Sequence, residues 1–505
     1  MKSNRYALID AIKNRYFVIL AFVLMLSSLT FLCANTPPVV SNMTASQRTD
    51  GTFLVDIYYD VYDADGDQLK ISLEVSDDGG STWDVDCQLV SGDVGTAIIS
   101  GIGKHIVWDM GSEHPDVIDT YKFKVVANDG FITAIDLSQF VTGLPEGQTF
   151  SGVANNAGGI NGNMGFNVFR SAGSYPTSVL KFITINDDMS HSGAQSAFPQ
   201  APRNMGNQRI HSTGDKVYMM GVYWSSGRDP LHFNKYDVQT NTIENVSVHS
   251  SWPTGAFSDI EPLDILKSSN GKVYIMNEWR YVNWSDGRAD IYMRVSSDDM
   301  VSWGPWIRGA HIGGEGMVKD AMMIEGSDNH VHIALWTTWG GADKAVYFKY
   351  DKESNTFVQK TVLGSGKNAC IFFDNGTNKL CMAYLNNQGQ LVYRVAALSN
   401  TNTWSSEQIA LSLTSGTWGI SNSYANSPFD QGRHLYMWTS NTNRHLVEWD
   451  GNSNWVDLGS IPSTMPDKHY ERARIYLMQD GDLHIVQGYK SPTSNNYYTK
   501  IEQYP

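Results

Sequence analysis

The segment Gly271-Lys-Val-Tyr274-Ile is the clearest of six similar strands in the second half of the chain. In each copy a turn residue precedes an apolar strand, and a marker residue stands at the strand's third or fourth place. The markers lie 48 to 58 residues apart, at Tyr218, Tyr274, His332, Cys381, Tyr436 and His484. A second phrase, a turn followed by a large apolar residue, keeps the same spacing at Ile243, Trp303, Phe357, Trp404 and Trp455. Two phrases repeated in step predict the four-stranded blades of a β-propeller.

The spacing predicts an all-β chain with a six-bladed propeller over residues 164–505, or a seven-bladed one if 165–200 forms a blade of its own. The last repeat, from about Arg472, contains only three strands. We expect a strand within 165–186 to complete this repeat, because closing the ring removes the exposed sheet edges.

The bulk composition agrees with short strands and tight turns in more than one domain. The chain has 505 residues, with 15 Trp, 25 Tyr and 45 Gly. Its net charge of −15 argues against nucleic acid as a partner, since phosphate binding needs clustered Lys and Arg. We expect a monomer that requires no cofactor.

Residues 1–34 have the pattern of an export signal. Basic residues precede an apolar run from Phe17 to about Leu32, and Ala34 offers a small residue for cleavage. A retained membrane anchor is the alternative. We expect cleavage, and a secreted, periplasmic or cell-surface protein without a membrane span.

Residues 37–142 are predicted to form a β-sandwich, and 143–163 a linker rich in Gly and Asn. Strands such as Lys70–Val75 and Tyr121–Val126 follow one another at short intervals over about 100 residues. The segment resembles the immunoglobulin- or fibronectin-like modules of secreted bacterial proteins, on the stretches Pro37-Pro-Val-Val40, Tyr62–Asp67 and Ser76–Trp83. That resemblance implies a spacer or adhesion role.

Asp63, Asp65 and Asp67 alternate as the ligands of a calcium loop do, and Glu74 falls at the twelfth place. Gly66 stands at the fourth place of this loop, however, where an EF-hand needs Gly at the sixth. The alternatives are therefore a calcium site and an Asp-rich β-turn.

Cys370 and Cys381 flank the hairpin turn Asp374-Asn-Gly-Thr377. Either a disulfide in an oxidising compartment or two buried thiols fits this spacing.

The segment Tyr274–Trp306 resembles one blade of the sialidase-like (BNR repeat) propellers. An Arg after the second strand, an Asp in the next loop and an Asp-box hairpin fall at Arg280, Asp286 and Ser296–Trp303. The Asp-box departs from the family pattern, because Met300 stands where Gly belongs. The family's three-Arg carboxylate clamp is also incomplete, since no Arg-Ile-Pro motif precedes this blade.

A second resemblance is to propeller polysaccharide lyases of the ulvan-lyase type. Those enzymes use His and Tyr for proton transfer and Arg to neutralise a uronate carboxylate. The densest group of these residue types is Lys468–Arg474, just before a first strand that leads to the mouth of the ring. The candidate catalytic residues are His469, Tyr470, Arg472, Arg474, His211 and Arg209. Inter-blade salt bridges are the alternative role for this group.

Side chains near the ends of second strands form the candidate substrate-binding set, because exposed rings there can stack on sugars. The set contains Trp279, Arg280, Tyr281, Trp284, Asp286, Arg288, Trp336 and Trp339. Packing is the alternative for the aromatic members. Together these patterns predict a secreted carbohydrate-active protein that acts on or binds an acidic polysaccharide. A lyase is favoured over a sialidase-like hydrolase, and a non-enzymatic glycan- or protein-binding adhesion module is the third interpretation.

Overall fold

The computed structural model divides the chain into an N-terminal unit, residues 1–131, and a C-terminal unit, residues 132–505. The structure describes residues 38–80, 83, 85–115, 120–129, 134–140, 156–160, 164–172, 179–186, 189–199, 205–213, 215–223, 230–249, 257–281, 289–312, 317–339, 341–374, 378–411, 434–439, 444–449, 455–461, 464–465, 469–477, 483–493 and 497–504. The proposed signal, residues 1–34, lies outside these ranges, as does most of the proposed linker. Within these ranges, no helix has the length and apolar character needed to cross a membrane.

Seven strands and one short helix are described in the N-terminal unit. They are Val39–Gln47 (β1), Val55–Tyr62 (β2), Leu69–Ser76 (β3), Val90–Gly92 (β4), Gly95–Ile98 (β5), Gly101–Trp108 (β6), Met110–Glu113 (α1) and Lys122–Asn128 (β7). One sheet has the order β1-β2-β6-β4 and the other the order β5-β3-β7.

The two sheets of the N-terminal unit share a single apolar core. On β2 the side chains of Val55, Ile57, Tyr59 and Val61 are buried, and their neighbours are not. Strand β3 repeats this alternation, and Trp108 at the end of β6 is fully buried in the same cluster. The period of two places one face of each strand in the core. The immunoglobulin- or fibronectin-like resemblance of this unit stays a prediction.

The described part of the C-terminal unit is built from short antiparallel strands. The first nine are Ala134–Asp136 (β8, followed by a 3₁₀ helix at Leu137–Phe140), Asn156–Ile160 (β9), Met164–Ala172 (β10), Val179–Asn186 (β11), Gln195–Ser196 (β12), Met205–Thr213 (β13), Lys216–Tyr223 (β14), Leu231–Asp237 (β15) and Thr242–His249 (β16). The next eight are Phe257–Lys267 (β17), Val273–Tyr281 (β18), Ala289–Ser296 (β19), Ile307–Ile312 (β20), Val318–Glu325 (β21), His330–Trp339 (β22), Ala342–Asp351 (β23) and Thr356–Gly364 (β24).

The remaining strands of this unit complete three more sheets. They are Gly366–Asp374 (β25), Lys379–Asn386 (β26), Leu391–Ala397 (β27), Asn400–Trp404 (β28), Gln408–Leu411 (β29), His434–Thr439 (β30), Arg444–Trp449 (β31), Trp455–Ser460 (β32), His469–Leu477 (β33), Leu483–Lys490 (β34) and Tyr497–Tyr504 (β35). In the described residues the strands form seven sheets: β9–β12, β13–β16, β17–β20, β21–β24, β25–β29, β30–β32, and β33–β35 with β8.

The first strands of these sheets form an inner layer. Strand β9 lies against β13, β13 against β17, β17 against β21, and β21 against β25. Strand β33 lies against both β30 and β9, so the last sheet returns to the first. Consecutive four-stranded meanders whose first strands are neighbours have the arrangement of β-propeller blades. The propeller predicted from the repeat therefore agrees with the strand pairing.

The strand that completes the last sheet differs from the one expected. Residues 164–186 form β10 and β11 of a separate sheet. Strand β8 pairs instead with β35, with Lys500 opposite Asp136 and Ile501 opposite Ile135. Ile135 and Ile501 are buried in one cluster with Val486. Burial of these apolar side chains stabilises the pairing of β8 with β35, although β8 has only three residues.

The five marker residues whose side chains are described, all but Tyr436, are buried. His332 and His484 are fully buried. Cys370 and Cys381 are both free thiols in the core, which agrees with the second alternative for this pair. They are not opposite each other, because Cys370 pairs with Ala383 and Cys381 with Phe372. Burial raises the pKa of the Cys370 thiol to about 12.

The Asp-box hairpin after β19 keeps its hydrogen bonds despite the missing Gly. Ser296 Oγ donates to Asp298 Oδ1 at 2.8 Å, and the Ser302 amide donates to the same oxygen at 2.8 Å. Met300 takes the left-handed conformation with φ of 75°, and its side chain is fully buried. The Met300 side chain thus packs into the core and fills a space that would be empty if Gly stood at this position.

Met300→Gly is expected to lower the free energy of unfolding by about 2 kcal/mol. Losing a buried Met side chain costs about 2–5 kcal/mol, and relief of the left-handed backbone returns about 1 kcal/mol. Urea unfolding monitored by Trp fluorescence measures the change. Asn355→Gly, at another left-handed turn with φ of 52°, is the control and should shift stability by less than about 0.5 kcal/mol. A Met300→Gly variant more stable than the wild type would contradict the argument.

Candidate functional site

Three charged side chains from consecutive first strands meet in the inner layer. Arg209 on β13 donates from Nε to the Leu263 carbonyl at 2.6 Å, which ties β13 to β17. Its Nη2 lies 3.8 Å from Asp320 Oδ1 on β21. Asp264 on β17 accepts from the Met323 amide of β21 at 2.6 Å through Oδ2. Arg209, Asp264 and Asp320 are called the Arg–Asp cluster below.

Asp264 has an unusual acidity for an aspartate. Burial, with a smaller contribution from the nearby Asp320 charge, raises the pKa of its carboxyl to about 7. The amides of Met323 and Ile265 and the Arg209 guanidinium act in the opposite direction without cancelling this effect. A carboxyl with such a pKa exchanges its proton near neutral pH, which is what a general acid or base requires.

A second group of charges lies on the same sheet, at Glu261, Glu278 and Arg280. Arg280 Nη1 lies 3.0 Å from Glu261 Oε1, and Nη2 lies 2.9 Å from Glu278 Oε2. Glu278 is fully buried and accepts from the Val318 amide at 2.6 Å. Burial raises the pKa of Glu278 to about 7, against the opposing effect of the Arg280 guanidinium. This group connects β17 and β18 to β21, so its first role is to hold neighbouring sheets together.

The group of Glu261, Glu278 and Arg280 lies toward one edge of the sheets, whereas Asp264 is opposite Met276, nearer the other end of β18. We define the entry edge as the edge where first strands such as β13 and β17 begin and where second strands such as β14 and β18 end. Glu261 is opposite Glu278 near this edge, and Asp259 is opposite Arg280. Because the strands are antiparallel, side chains from these ends collect there. The loops that leave the edge at 224–229, 282–288 and 313–316 lie outside the described residues, and with them the candidates Trp284, Asp286 and Arg288.

The predicted catalytic residues of the last sheet begin its first strand. His469 opens β33 opposite Lys490, and Tyr470 is opposite Tyr489. A register shift follows before Arg474, which is opposite Val486. The backbone thus places His469, Tyr470, Arg472 and Arg474 in the inner layer, with His469 at the entry edge. Their side chains are outside what the structure describes.

His211 lies two residues after Arg209, on the same face of β13. Burial lowers the pKa of its imidazole to about 4, against the opposing charge of Glu325. The ring forms a hydrogen bond with the Lys267 backbone, at the end of β17 away from the entry edge. His211 is therefore neutral at physiological pH and joins β13 to β17.

The aromatic candidates are corrected where their side chains are described. Trp279 is 1% exposed and packs edge-on against Tyr292 and Trp306. Trp336 is 8% exposed and donates from Nε1 to Asp343 Oδ1 at 2.8 Å. Rings buried to this extent cannot stack on a sugar, so both belong to the core. Tyr281 and Trp339 end β18 and β22, but their side chains lie outside the described set.

Asp264, Asp320 and Glu278 were missed from the sequence. Each is an acidic residue inside a strand whose other members are mostly apolar, and that interruption was the signal available. A charged residue at such a place is rarely buried unless it is paired or hydrogen-bonded. The pattern could not tell which other strand would supply the partner.

No family model matches this chain, and no curated protein matches it. Among solved structures it is similar to the polysaccharide lyase Uly1 with 9% identity and a TM-score of 0.44, over 73% of this chain and 94% of the lyase. It is also similar to an α-L-arabinanase of Penicillium chrysogenum with 12% identity and a TM-score of 0.42, over 59% of this chain and 93% of the arabinanase. A sialidase of Trypanosoma rangeli matches with 13% identity and a TM-score of 0.41, over 73% of this chain and 59% of the sialidase. At these identities and TM-scores no activity of the present chain follows from the similarity.

Proposed function

We propose that this is an exported carbohydrate-active protein that acts on an acidic polysaccharide at the inner layer of a closed, seven-bladed propeller. The Arg–Asp cluster carries the proposal. It combines a partly exposed guanidinium with a carboxyl group that can exchange a proton at neutral pH. Guanidinium groups bind carboxylates in a fixed geometry, as recognition of a uronate would require.

Lyase chemistry would use the cations and proton-transfer groups of the inner layer. A base removes the proton beside the uronate carboxylate, the glycosidic C–O bond breaks as the departing oxygen takes up a proton from an acid group or water, and a C=C double bond forms in the product. An Arg against the carboxylate lowers the barrier, because negative charge develops there as the proton leaves. His469 or Tyr470 would be the base, and Arg472, Arg474 or Arg209 the cation. Strand β33 supports this assignment, since it lies against β9, which in turn lies against the strand of Arg209.

Hydrolysis is the second candidate, and the raised pKa of Asp264 favours it. A protonated carboxyl can donate to the leaving oxygen while water adds to the anomeric carbon. Asp320 is the nearby carboxylate that would assist. This reaction gives a new reducing end and no double bond, so its product differs from that of a lyase.

An array of polysaccharides tests the proposal. The purified chain is incubated with uronate polymers and with neutral polysaccharides, and scored for ultraviolet-absorbing unsaturated product, for reducing ends and for binding. Unsaturated product from uronate polymers supports the lyase, and reducing ends alone support the hydrolase. Binding with no product is the result expected of an adhesion module. Neither binding nor product on any acidic polymer would overturn the proposal.

Variants assign the reaction to residues. For a lyase, His469→Ala and Arg472→Ala should each abolish unsaturated product while the fold is retained, and unaffected turnover in both contradicts the assignment. For a hydrolase, Asp264→Asn should lower the rate about 10²–10⁴-fold, because general acid catalysis contributes that much. Lys216→Ala is the control. It removes an exposed cation from the same sheet as Arg209, at the strand end away from the entry edge, and it should leave every rate unchanged.

A further inference from the structure

Three carboxylates converge at one point of the N-terminal unit. Asp63 directly follows β2, Asp67 precedes β3, and Asp129 follows β7. One oxygen from each lies within 4.8 Å of the other two. The pairing of β3 with β7, which sets Lys70 opposite Asn128, brings these chain segments together. The cluster is therefore a product of sheet pairing and not of one loop.

Asp63 is the buried member of this cluster, with 3% of its surface exposed. Its Oδ1 accepts from the amides of Asp65 and Asp67, both at 3.0 Å, and its own amide donates to Ser100 Oγ. Its Oδ2 is buried and has no hydrogen-bond partner. A buried carboxylate oxygen without a partner is costly unless a cation compensates it. Asp63 Oδ2 is thus the oxygen that remains to bind a cation on the buried side of the cluster.

We propose that Asp63, Asp67 and Asp129 bind a Ca²⁺ ion. Two Ca–O bonds of about 2.3–2.6 Å span about 5 Å between their oxygens, which accommodates the observed separation. Asp67 is exposed, so water can complete the six to eight ligands that Ca²⁺ takes. Mg²⁺ fits less well, because it binds at about 2.0–2.1 Å and gives up its water reluctantly.

The ligand set differs from the loop suggested by the sequence. Asp65 turns its amide toward Asp63 and is not part of the three-carboxylate group. Glu74, at the twelfth place, lies on β3 with Oε2 3.1 Å from Lys124 Nζ. Asp129, which lies more than sixty residues after Asp67 in the chain, supplies the third carboxylate instead. The ion would tie the β2–β3 connection to the end of β7.

Binding of this kind stabilises the N-terminal unit by mass action, since the ligands are together only in the folded state. With three carboxylates and the remaining positions filled by water, we expect a Kd of about 10⁻⁴–10⁻³ M, as in other extracellular calcium modules.

Calorimetric titration and thermal unfolding of the full chain test the site. Wild-type protein should bind one Ca²⁺, and its unfolding temperature should rise as Ca²⁺ is increased beyond that Kd. Mg²⁺ at the same ionic strength should produce a smaller rise. An equal rise with both ions, or none with Ca²⁺, overturns the proposal, since screening of the acidic chain would then account for the effect.

Single substitutions separate the ligands from the surrounding turn. Asp129→Asn and Asp67→Asn should weaken Ca²⁺ binding at least about tenfold, because even loss of a residue that only supports a ligand has that effect. Asp65→Asn lies in the same loop and should bind as the wild type does. Loss of binding in Asp65→Asn with retention in Asp129→Asn would refute this ligand set. Both outer residues are partly exposed, so these variants are expected to fold.

Discussion

Glu502→Gln is expected to lower the free energy of unfolding of the C-terminal unit by about 3–5 kcal/mol. Glu502 on β35 and Arg444 on β31 form an ion pair whose side chains are both fully buried, with Nη1 and Oε2 2.5 Å apart. The change keeps the shape of the side chain but leaves the Arg444 charge in the interior without its counterion. Burying an unpaired charge is far more costly than losing an exposed ion pair. Urea unfolding of wild type and variant measures the difference.

The hydrogen bonds of Glu502 explain why Gln is the informative replacement. Glu502 Oε1 accepts from the Thr464 amide at 2.9 Å and from the Tyr489 hydroxyl at 2.7 Å. The Gln carbonyl can keep both bonds, but its NH2 group then faces the Arg444 donor, so the variant removes the counterion and its hydrogen bond together. Arg444→Met combined with Glu502→Gln should recover part of the lost stability. Glu244→Gln, at an ion pair in which Glu244 is 63% exposed, should cost less than about 1 kcal/mol. Equal effects at the two sites would contradict the prediction.

Asp264→Asn is expected to change the pH dependence of stability. Burial raises the pKa of this carboxyl from an ordinary 3.8 to about 7, so the folded state holds its proton where the unfolded state has lost it. The amount that this carboxyl adds to the free energy of unfolding is complete below pH 3.8 and is lost as the pH rises to 7. The slope reaches about 1.4 kcal/mol per pH unit, and the total is at most about 4 kcal/mol. Asn does not titrate, so the variant lacks this term.

The difference between wild type and Asp264→Asn isolates one group. The Asn variant should be less stable than the wild type at pH 4, because its amide can accept only one of the two backbone donors that Asp264 binds. That deficit should shrink steadily toward pH 8. Glu278 titrates in the same range, but it does so in both proteins and cancels. Unfolding free energies that stay parallel from pH 4 to pH 8 would show that Asp264 is ionised throughout.

Most of the fold could be predicted because it depends on local periodicity. The marker phrase around Tyr274 recurs as the second strand of its sheet at β14, β18, β22, β26 and β34, and as the first described strand of its sheet at β30. The first sheet, 156–196, carries no copy of this phrase, so the sequence left six or seven blades open. Strand β8 could not be predicted to complete the last sheet. It is three residues long and pairs with residues more than 360 positions away, beyond the reach of any local pattern.

The candidate site was predictable only in part. Arg209 and Arg280 were selected by residue type and position; Arg209 lies in the inner-layer Arg–Asp cluster, and Arg280 lies on β18 with Glu261 and Glu278. Trp279 and Trp336 were selected in the same way and are buried, because ring exposure depends on the neighbouring strands. To identify Asp264 as a candidate, one must know that it lies beside Met323 and Asp320, which belong to the next sheet.

Repeated turn-and-strand phrases in the sequence were sufficient to specify an all-β chain with blade-like sheets, because a strand's period and a turn's residues act over a few positions. Tertiary structure decided which acidic groups are unusual. Desolvation raises the pKa of Asp264, and the pairing of β3 with β7 brings Asp129 to Asp63. Both effects arise between residues far apart in the chain, so they exist only once the sheets have packed.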